Sequence, residues 1–415
     1  MKKIKYIIYK LLRRSEHFTK TDMVYLASSG FWITLVNTVI GINVFITALA
    51  FANLLPREIF GEYKYALSIF SILKMFSLEA MNTAVTRSVA KGFDGAIFKG
   101  VKSKIIWGLI GMLFSFALAA YYYYANNNTF ASIFIVVGGS IPLFDTFALY
   151  ASYFNGKKLF ATLTKYNLIV EILTTIILVT ALFLTNNIII ILLAYFLPYI
   201  IIRFFALILA WRNYNFNKSF SSETISYGKH LSLMTVASTL ANNLDRVLLW
   251  FSLNPVSVAI FSLAVAIPDH ISSTVKGIRN IALPKISEKE ETAVKNELAK
   301  KIFKATIVLI PIAIIYIFTA PLLFKILFPQ YPESIFYSQL YSIIIIMSPQ
   351  ILFITYLEAH AKKKEQYYIT TATPIFRIIS FAILIPLYGI MGGIISIIIT
   401  RIFSYCLSYY LFKKL

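Results

Sequence analysis

Long apolar stretches alternate with short polar breaks from residue 23 to residue 412. A helix rises about 1.5 Å per residue, so about 20 residues cross a hydrocarbon core that is about 30 Å thick. The pattern predicts twelve such helices, which we number spans 1 to 12, at residues 24–52, 61–88, 104–124, 130–154, 163–184, 188–211, 230–252, 257–284, 302–324, 334–358, 367–387 and 391–411. The expected fold class is an all-α polytopic membrane protein.

The predicted spans divide into two sets of six near Ser219. We therefore expect an N-terminal six-helix bundle at 23–218 and a C-terminal six-helix bundle at 219–415, with pseudo-twofold symmetry around a central cleft. Spans 1–2 and 7–8 look alike, as they do in transporters built from internal repeats, although chance apolar resemblance is the alternative. Residues 1–22 are expected to be cytoplasmic, either as an interfacial helix or as a solvated basic tail.

The breaks are too short for an external domain, since those at 125–129, 185–187 and 253–256 have only three to five residues. The break at 285–301 carries a capping-box pattern and glutamate–lysine pairs four residues apart, which predict a solvated helix.

The net charge of the chain is +21, and the positions of its basic residues indicate how the chain is oriented in the membrane. Lysine and arginine are concentrated in alternate breaks, whereas the intervening breaks contain only Arg57 and Lys325. This asymmetry is the positive-inside signature and not a nucleic-acid footprint. We expect a multi-pass protein of the bacterial cytoplasmic membrane with both termini in the cytoplasm, and no nucleic-acid partner.

Composition argues against catalysis. Hydrophobic residues make up 59% of the chain and charged residues 14%. The single cysteine, Cys406, excludes a disulfide framework, and the four histidines lack metal-ligand spacing. Nucleotide-binding glycine loops and hydrolase motifs are absent from the sequence. We expect no enzyme activity, no metal and no cofactor.

Polar residues recur on one face of four spans, which implies either a hydrated cleft or interhelical hydrogen bonds. These faces contain Lys64, Ser68, Ser71, Glu79, Asn82 and Thr86 in span 2; Ser232, Thr235, Thr239, Asn242, Asn243 and Arg246 in span 7; Asp269, Ser272, Ser273, Lys276 and Asn280 in span 8; and Thr34, Asn37, Thr38 and Gly41 in span 1. Spans 3, 6 and 9 are almost purely apolar and are expected to be outer supports.

A charge within a membrane is costly without a partner or water, so the cations on these faces are expected to line a hydrated cleft. Fixed cations there would attract an anionic substrate such as a phosphate. The predicted substrate-binding cations are Lys64, Arg246, Lys276 and Arg279. The predicted polar lining of the cleft is Asn37, Ser71, Asn82, Asn242, Asn243 and Ser272. For Arg279, Arg203 and Lys104, contact with cytoplasmic lipid headgroups is the alternative.

Acidic residues within spans suggest ion coupling. The candidates for a proton or sodium site are Glu79, Asp145 and Asp269, and Glu171 is a further one. A structural ion pair with a nearby lysine or arginine is the alternative for each. Asp245 and Arg246 are adjacent and project about 100° apart, so we expect Asp245 to pair across helices instead.

Two stretches carry a resemblance to a known family. They are LLPREIFGEY at 54–63 and NNLDRVLL at 242–249, the second followed by the Pro255 turn and by LPKIS at 283–287. The chain resembles the bacterial oligosaccharide flippases, the Wzx-like polysaccharide transporter family of the multidrug/oligosaccharidyl-lipid/polysaccharide exporter (MOP) superfamily. The glycine usual at the second turn is replaced by Asn254 and Pro255, which weakens the internal repeat.

The resemblance implies export of undecaprenyl-diphosphate-linked oligosaccharides, as in O-antigen synthesis, by alternating access and with an ion gradient of H+ or Na+. The implied partners are this polyprenyl diphosphate substrate, membrane lipids and the polysaccharide polymerase machinery. One alternative is an ion-coupled drug or cation exporter of the same superfamily, which would favour a carboxylate-rich cavity. Another is a membrane glycan polymerase or ligase, which would need a large external loop.

Overall fold

The computed structural model describes residues 23–277, 279, 282, 286 and 291–414, and these residues form helices and no strand. The predicted interfacial helix at 1–22 lies outside the described residues, as does the start of the predicted solvated helix at 285–301.

Seven spans are single helices, and those of spans 3, 7 and 9 begin seven to eleven residues before the predicted apolar stretches. The seven helices are Met23–Leu54 (span 1), Ala96–Tyr124 (span 3), Phe160–Leu184 (span 5), Ile188–Tyr214 (span 6), Glu223–Ser252 (span 7), Pro255–Lys276 (span 8) and Glu291–Leu327 (span 9). Asn254 caps span 8 by accepting a hydrogen bond from the Ser257 backbone N–H, and Pro255 occupies the first turn, where its missing N–H costs nothing.

Three spans are broken helices. Span 2 consists of Arg57–Leu73, a 3-10 turn at Lys74–Ser77, and Met81–Ala90. Span 4 consists of Asn128–Ser140 and Leu149–Gly156. Span 10 consists of Glu333–Tyr341, Ile343–Met347, a 3-10 turn at Ser348–Gln350, and Ile351–Ala359.

Spans 11 and 12 form one helical hairpin over Lys363–Lys414, which reverses at Gly389. Gly389 has φ 57° and ψ −132°, a conformation that is strained for residues with a side chain. The two arms are antiparallel, because Ser396 donates to the Ser380 carbonyl oxygen at 3.0 Å and the Phe376 and Phe403 rings stack 4.5 Å apart.

The helices account for the predicted membrane crossings. Among the described residues, eight helices are long and apolar enough to cross a membrane, and one of these is the hairpin of spans 11 and 12. Spans 2, 4 and 7 are the three that these eight helices do not include. Spans 2 and 4 are broken into shorter helices, and span 7 carries one of the polar faces. The predicted fold class, an all-α polytopic membrane protein, is confirmed.

The polar breaks meet at two opposite ends of the bundle. At one end, which we call the basic face, Lys157 Nζ lies 2.8 Å from an Asp94 carboxylate oxygen, and the Asp94 backbone N–H donates to Asn217. At the other end, the Asn53 face, Asn53 donates to the Leu327 carbonyl oxygen at 2.9 Å. The breaks that follow spans 2, 4 and 6 therefore share one face, and those after spans 1 and 9 share the other.

Large apolar side chains cover the outer surface of the bundle. Leu113 on span 3, Phe183 on span 5 and Phe318 on span 9 are 66%, 69% and 79% exposed. Such a surface suits hydrocarbon and not water.

Span 2 crosses the molecule in contact with the second set of spans at both of its ends. Near the Asn53 face, a Cβ on Gly61 would lie 1.8 Å from the Pro255 carbonyl oxygen, so only glycine permits this approach to span 8. Tyr65 stacks on Trp250 of span 7 with ring centroids 4.4 Å apart. Toward the basic face, the Ala80 backbone N–H donates to Ser232 at 3.2 Å. The polar faces of spans 2 and 7 are thereby brought together.

Candidate functional site

Lys64 lies on span 2 one turn after the Gly61 contact. Its side chain is half-buried, and its ammonium nitrogen lies 5.3 Å from the centroid of the Phe60 ring. Among the described side chains, no carboxylate pairs with it. It lies close enough to Arg246 of span 7 for the two positive charges to repel each other. The structure thus brings together two of the four cations predicted to bind substrate.

The buried carboxylate of Asp245 pairs with two arginines, one on span 7 and one on span 11. One oxygen of Asp245 lies 3.2 Å from Arg246 Nη1, and the other lies 3.7 Å from Arg377 Nη2 of span 11. Arg377 also donates to the Asn242 side-chain oxygen at 2.8 Å. Asp245 is therefore shared between two guanidinium groups on different helices.

The expectation that Asp245 would not pair with Arg246 is wrong. The long arginine side chain folds back along its own helix, where Nη1 also lies 3.4 Å from the Asn242 carbonyl oxygen. The expected pairing across helices is confirmed, with Arg377 as the partner.

We call Lys64, Arg246, Arg377 and Asp245 the cation cluster. It carries three positive side chains and one negative side chain, and it lies where spans 2, 7 and 11 meet. Electrostatic attraction is much stronger in such a poorly hydrated setting than in bulk water. The arrangement is therefore suited to an anion.

Sequence analysis did not assign Arg377 a role. The signal was present, because Thr370, Thr373, Arg377 and Ser380 recur at helical spacing along span 11. That face was overlooked because the rest of span 11 is apolar.

The other predicted site residues lie in several places. Lys276 is the last residue of span 8, and its side chain is outside the described part of the structure. Arg279 pairs with Glu358 at 2.8 Å. Ser272 shares a hydrogen bond of 2.6 Å with Ser348 of span 10, which joins two helices.

The remaining predicted lining residues differ in their surroundings. Asn242 is exposed beside Arg377, whereas Asn243 donates to the Thr239 carbonyl oxygen within its own helix. Asn37 is exposed on span 1, and Ser71 is half-buried on span 2. Asn242 is thus the predicted lining residue that directly contacts the cation cluster.

Two of the ion-coupling candidates belong to one ion-pair network. Lys74 lies 2.8 Å from Asp145 and 3.1 Å from Glu79, and Arg203 lies 3.0 Å from Asp145. Arg203 also donates to the Phe144 carbonyl oxygen. This geometry is that of an ion pair linking spans 2, 4 and 6.

Two cations do not reach the headgroups as suggested. Lys104 is completely buried and donates to Asn82 at 3.2 Å. Arg203 is held in the ion pair with Asp145. Both side chains turn inward because the polar groups of the broken spans 2 and 4 need partners inside the bundle.

Asp269, the third candidate, has a different environment. It accepts a hydrogen bond of 3.0 Å from the Tyr341 hydroxyl of span 10. Within the described part of the chain it makes no ion pair.

Comparison with known families settles the classification. A family model described as "Polysaccharide biosynthesis protein" matches residues 26–289, more than half of the chain. The chain belongs to this polysaccharide biosynthesis family. No curated protein sequence matches it significantly.

Solved structures share its fold. The structure titled "Lipid II flippase MurJ, inward closed conformation" is 17% identical, with a TM-score of 0.69, and the match covers 92% of this chain and 87% of that one. An inward-facing multidrug resistance MATE family transporter of the MOP superfamily is 12% identical, with a TM-score of 0.64 and coverage of 92% and 94%. The MOP transporter fold implied by the sequence resemblance is therefore confirmed.

A third similar structure is a MOP superfamily transporter from Pyrococcus furiosus, whose title reports a reverse polarity of its binding pocket. It is 14% identical, with a TM-score of 0.52 and coverage of 94% of both chains.

Proposed function

We propose that this protein is a flippase that moves an undecaprenyl-diphosphate-linked oligosaccharide across the bacterial cytoplasmic membrane, for the synthesis of a cell-surface polysaccharide. Family membership supports a role in polysaccharide biosynthesis, and the fold supports transport. The observation that carries the proposal is the excess of positive charge in the cation cluster, where Lys64 lies within electrostatic range of Arg246 and pairs with no carboxylate among the described residues.

The diphosphate is the part of the substrate that most resists crossing, because bare charge in hydrocarbon is very costly. Arginine offers a planar fork of donors that matches phosphate oxygens, and lysine offers a compact charge. Together they replace part of the water lost by the diphosphate. We expect the glycan to cross through a cleft that opens between spans 1, 2, 7 and 8, and the polyprenyl chain to remain in lipid.

The cation cluster also suggests how substrate promotes alternating access. In the empty protein, Lys64 and Arg246 repel each other across the contact between spans 2 and 7. A bound diphosphate neutralises this repulsion and so favours the arrangement in which the spans meet. A ligand shifts a conformational equilibrium only through such a difference in affinity between states.

Asp269 is the ion-coupling candidate that the geometry favours. Its described partner is a neutral hydroxyl, so it can exchange a proton or Na+ without breaking a described ion pair. Glu79 and Asp145 are instead engaged by Lys74.

The substrate class is tested with purified protein in lipid vesicles. We expect net movement of undecaprenyl-diphosphate-linked oligosaccharide between leaflets, measured by access of an external glycosidase. We expect no accumulation of ethidium, a cationic drug-exporter substrate, because the cluster repels cations. Ethidium transport without glycan movement would instead support the drug exporter and reject the flippase.

The orientation in the membrane is also a proposal. If the basic face is cytoplasmic, as the positive-inside rule requires, an alkaline phosphatase fused after Leu415 is expected to be inactive and a green fluorescent protein fused there to fluoresce. The matched control places the phosphatase in the break at 185–187, where it is expected to be active. The reverse pattern would overturn the topology.

A further inference from the structure

Arg401 on span 12 has no described partner. Within the part of the chain that the structure describes, no side chain or carbonyl oxygen accepts a hydrogen bond from it and no carboxylate pairs with it. The polar groups next to it are already satisfied, since Ser272 bonds to Ser348 at 2.6 Å and Gln350 donates to Ser404 at 2.6 Å. An unpaired guanidinium inside a membrane protein is costly and is typically retained for function.

Arg401 lines a cavity between spans 7, 11 and 12. The cavity has a volume of about 140 Å³, and its polar lining comprises Ser238, Asn242, Thr373, Arg377, Thr400 and Arg401. One water needs roughly 10–15 Å³ of such space, so the cavity has room for a much larger polar group. Asn242 is exposed, so the cavity is not sealed from its surroundings.

Several donors around this cavity lack acceptors. Arg377 Nε and Thr373 Oγ1 are buried and have no hydrogen-bond partner among the described residues. Buried polar groups are nearly always satisfied, so unsatisfied ones require an explanation. Two guanidinium groups and a hydroxyl with spare donors, around one cavity, are complementary to a ligand that presents several negative oxygens.

The carboxylates that the structure describes do not balance the charges around the cavity. The nearby carboxylates are Asp245, which is shared by Arg246 and Arg377, and Asp269, which is bonded to Tyr341. Arg377 and Arg401 lie close enough to repel each other. A bound anion would relieve that repulsion.

We propose that this cavity is a phosphate-binding site, in which Arg377 and Arg401 hold one phosphate group and Thr373 donates a further hydrogen bond. We call it the Arg401 site. Lys64 and Arg246 are not among its lining residues, and it shares Arg377 with the cation cluster. The site does not depend on whether the substrate is lipid-linked. The phosphate could belong to an isoprenoid diphosphate or to a free inorganic anion.

The site is tested by titration calorimetry of the purified full-length protein with inorganic pyrophosphate and with farnesyl diphosphate. To separate this site from the contact at Lys64, both ligands are titrated into the unchanged protein and into the Lys64→Gln variant. We expect Arg401→Gln to weaken binding at least tenfold in both backgrounds and Arg401→Lys to weaken it less. Arg212→Gln, an exposed arginine at the end of span 6, is the matched control and is expected to bind normally.

Thr373→Val removes the unpartnered hydroxyl with little change of shape and is expected to weaken binding about threefold. It keeps the test decisive if Arg401→Gln fails to fold. Farnesyl diphosphate binding at least tenfold tighter than pyrophosphate would identify an isoprenoid diphosphate as the ligand, and equal binding would identify a free anion. Binding that is absent, or unchanged in both Arg401→Gln and Thr373→Val, would overturn the site. Binding that depends on Arg401 in a protein that moves no lipid-linked glycan would retain the site and reject the flippase.

Discussion

Lys64→Gln is expected to make the protein more stable and less active. Lys64 is half-buried, has no described carboxylate partner and is repelled by Arg246. Removing its charge relieves an unfavourable interaction on the order of 1 kcal/mol, which corresponds to a rise of roughly 2 °C in melting temperature. Transport should fall, because a hydrogen bond to a charged group contributes about 1.5–3 kcal/mol, or roughly 10- to 150-fold in rate.

A variant with a higher melting temperature and slower transport would show that the charge of Lys64 acts in transport and does not stabilise the fold. A residue that only joins helices would lower the melting temperature when it is removed. Lys102→Gln, which removes an exposed lysine of span 3, is the matched control and should change neither property. Arg246→Lys should retain part of the activity, because the charge remains while the fork of donors is lost. A Lys64→Gln protein that is less stable and transports normally would place Lys64 in the packing and not in the substrate path.

Asp145→Asn is expected to have the largest effect on stability. Asp145 is the carboxylate to which both Lys74 and Arg203 are paired, at 2.8 and 3.0 Å, and all three side chains are mostly buried. Removing one partner of a buried ion pair leaves uncompensated charge and costs about 3–5 kcal/mol. The melting temperature in detergent should fall by several degrees, and the protein should accumulate poorly.

Glu79→Gln is the matched control for this network, because Glu79 is more exposed and, among the described residues, its ion pair is the one with Lys74. Its effect on the melting temperature should be much smaller. An Asp145→Asn protein that is as stable as the unchanged one, and whose transport no longer responds to a proton or Na+ gradient, would contradict the structural role and make Asp145 the coupling site.

The helices were predictable because apolar stretches of membrane-crossing length leave few alternatives. The break between spans 11 and 12 was placed correctly at 388–390, where Gly389 adopts its positive φ. The break inside span 2 could not be seen, since the 3-10 turn at Lys74–Ser77 contains no glycine or proline. The breaks inside spans 4 and 10 contain Pro142 and Pro349, which helices in membranes also tolerate. Only tertiary contacts stabilise such turns.

The candidate site was only partly predictable. Helical spacing placed Lys64 and Arg246 on the polar faces of spans 2 and 7, but it could not show which faces meet. Lys104 and Arg203 pair with polar groups of the broken spans 2 and 4. The spacing of residues along the sequence does not reveal where these helices break. Arg377 and Arg401 lie on the two arms of the hairpin of spans 11 and 12, and the cavity that they share also involves span 7, which is distant from that hairpin in the sequence.

The central claim is that the cation cluster recognises the diphosphate of the substrate. The most direct measurement compares initial flipping rates, in vesicles, of oligosaccharide linked to undecaprenyl diphosphate and to undecaprenyl monophosphate. The unchanged protein should prefer the diphosphate by at least tenfold, and the Lys64→Gln/Arg246→Gln double variant, if it accumulates normally, should lose that preference. A double variant that keeps the full preference would contradict the claim, because the diphosphate would then be recognised elsewhere.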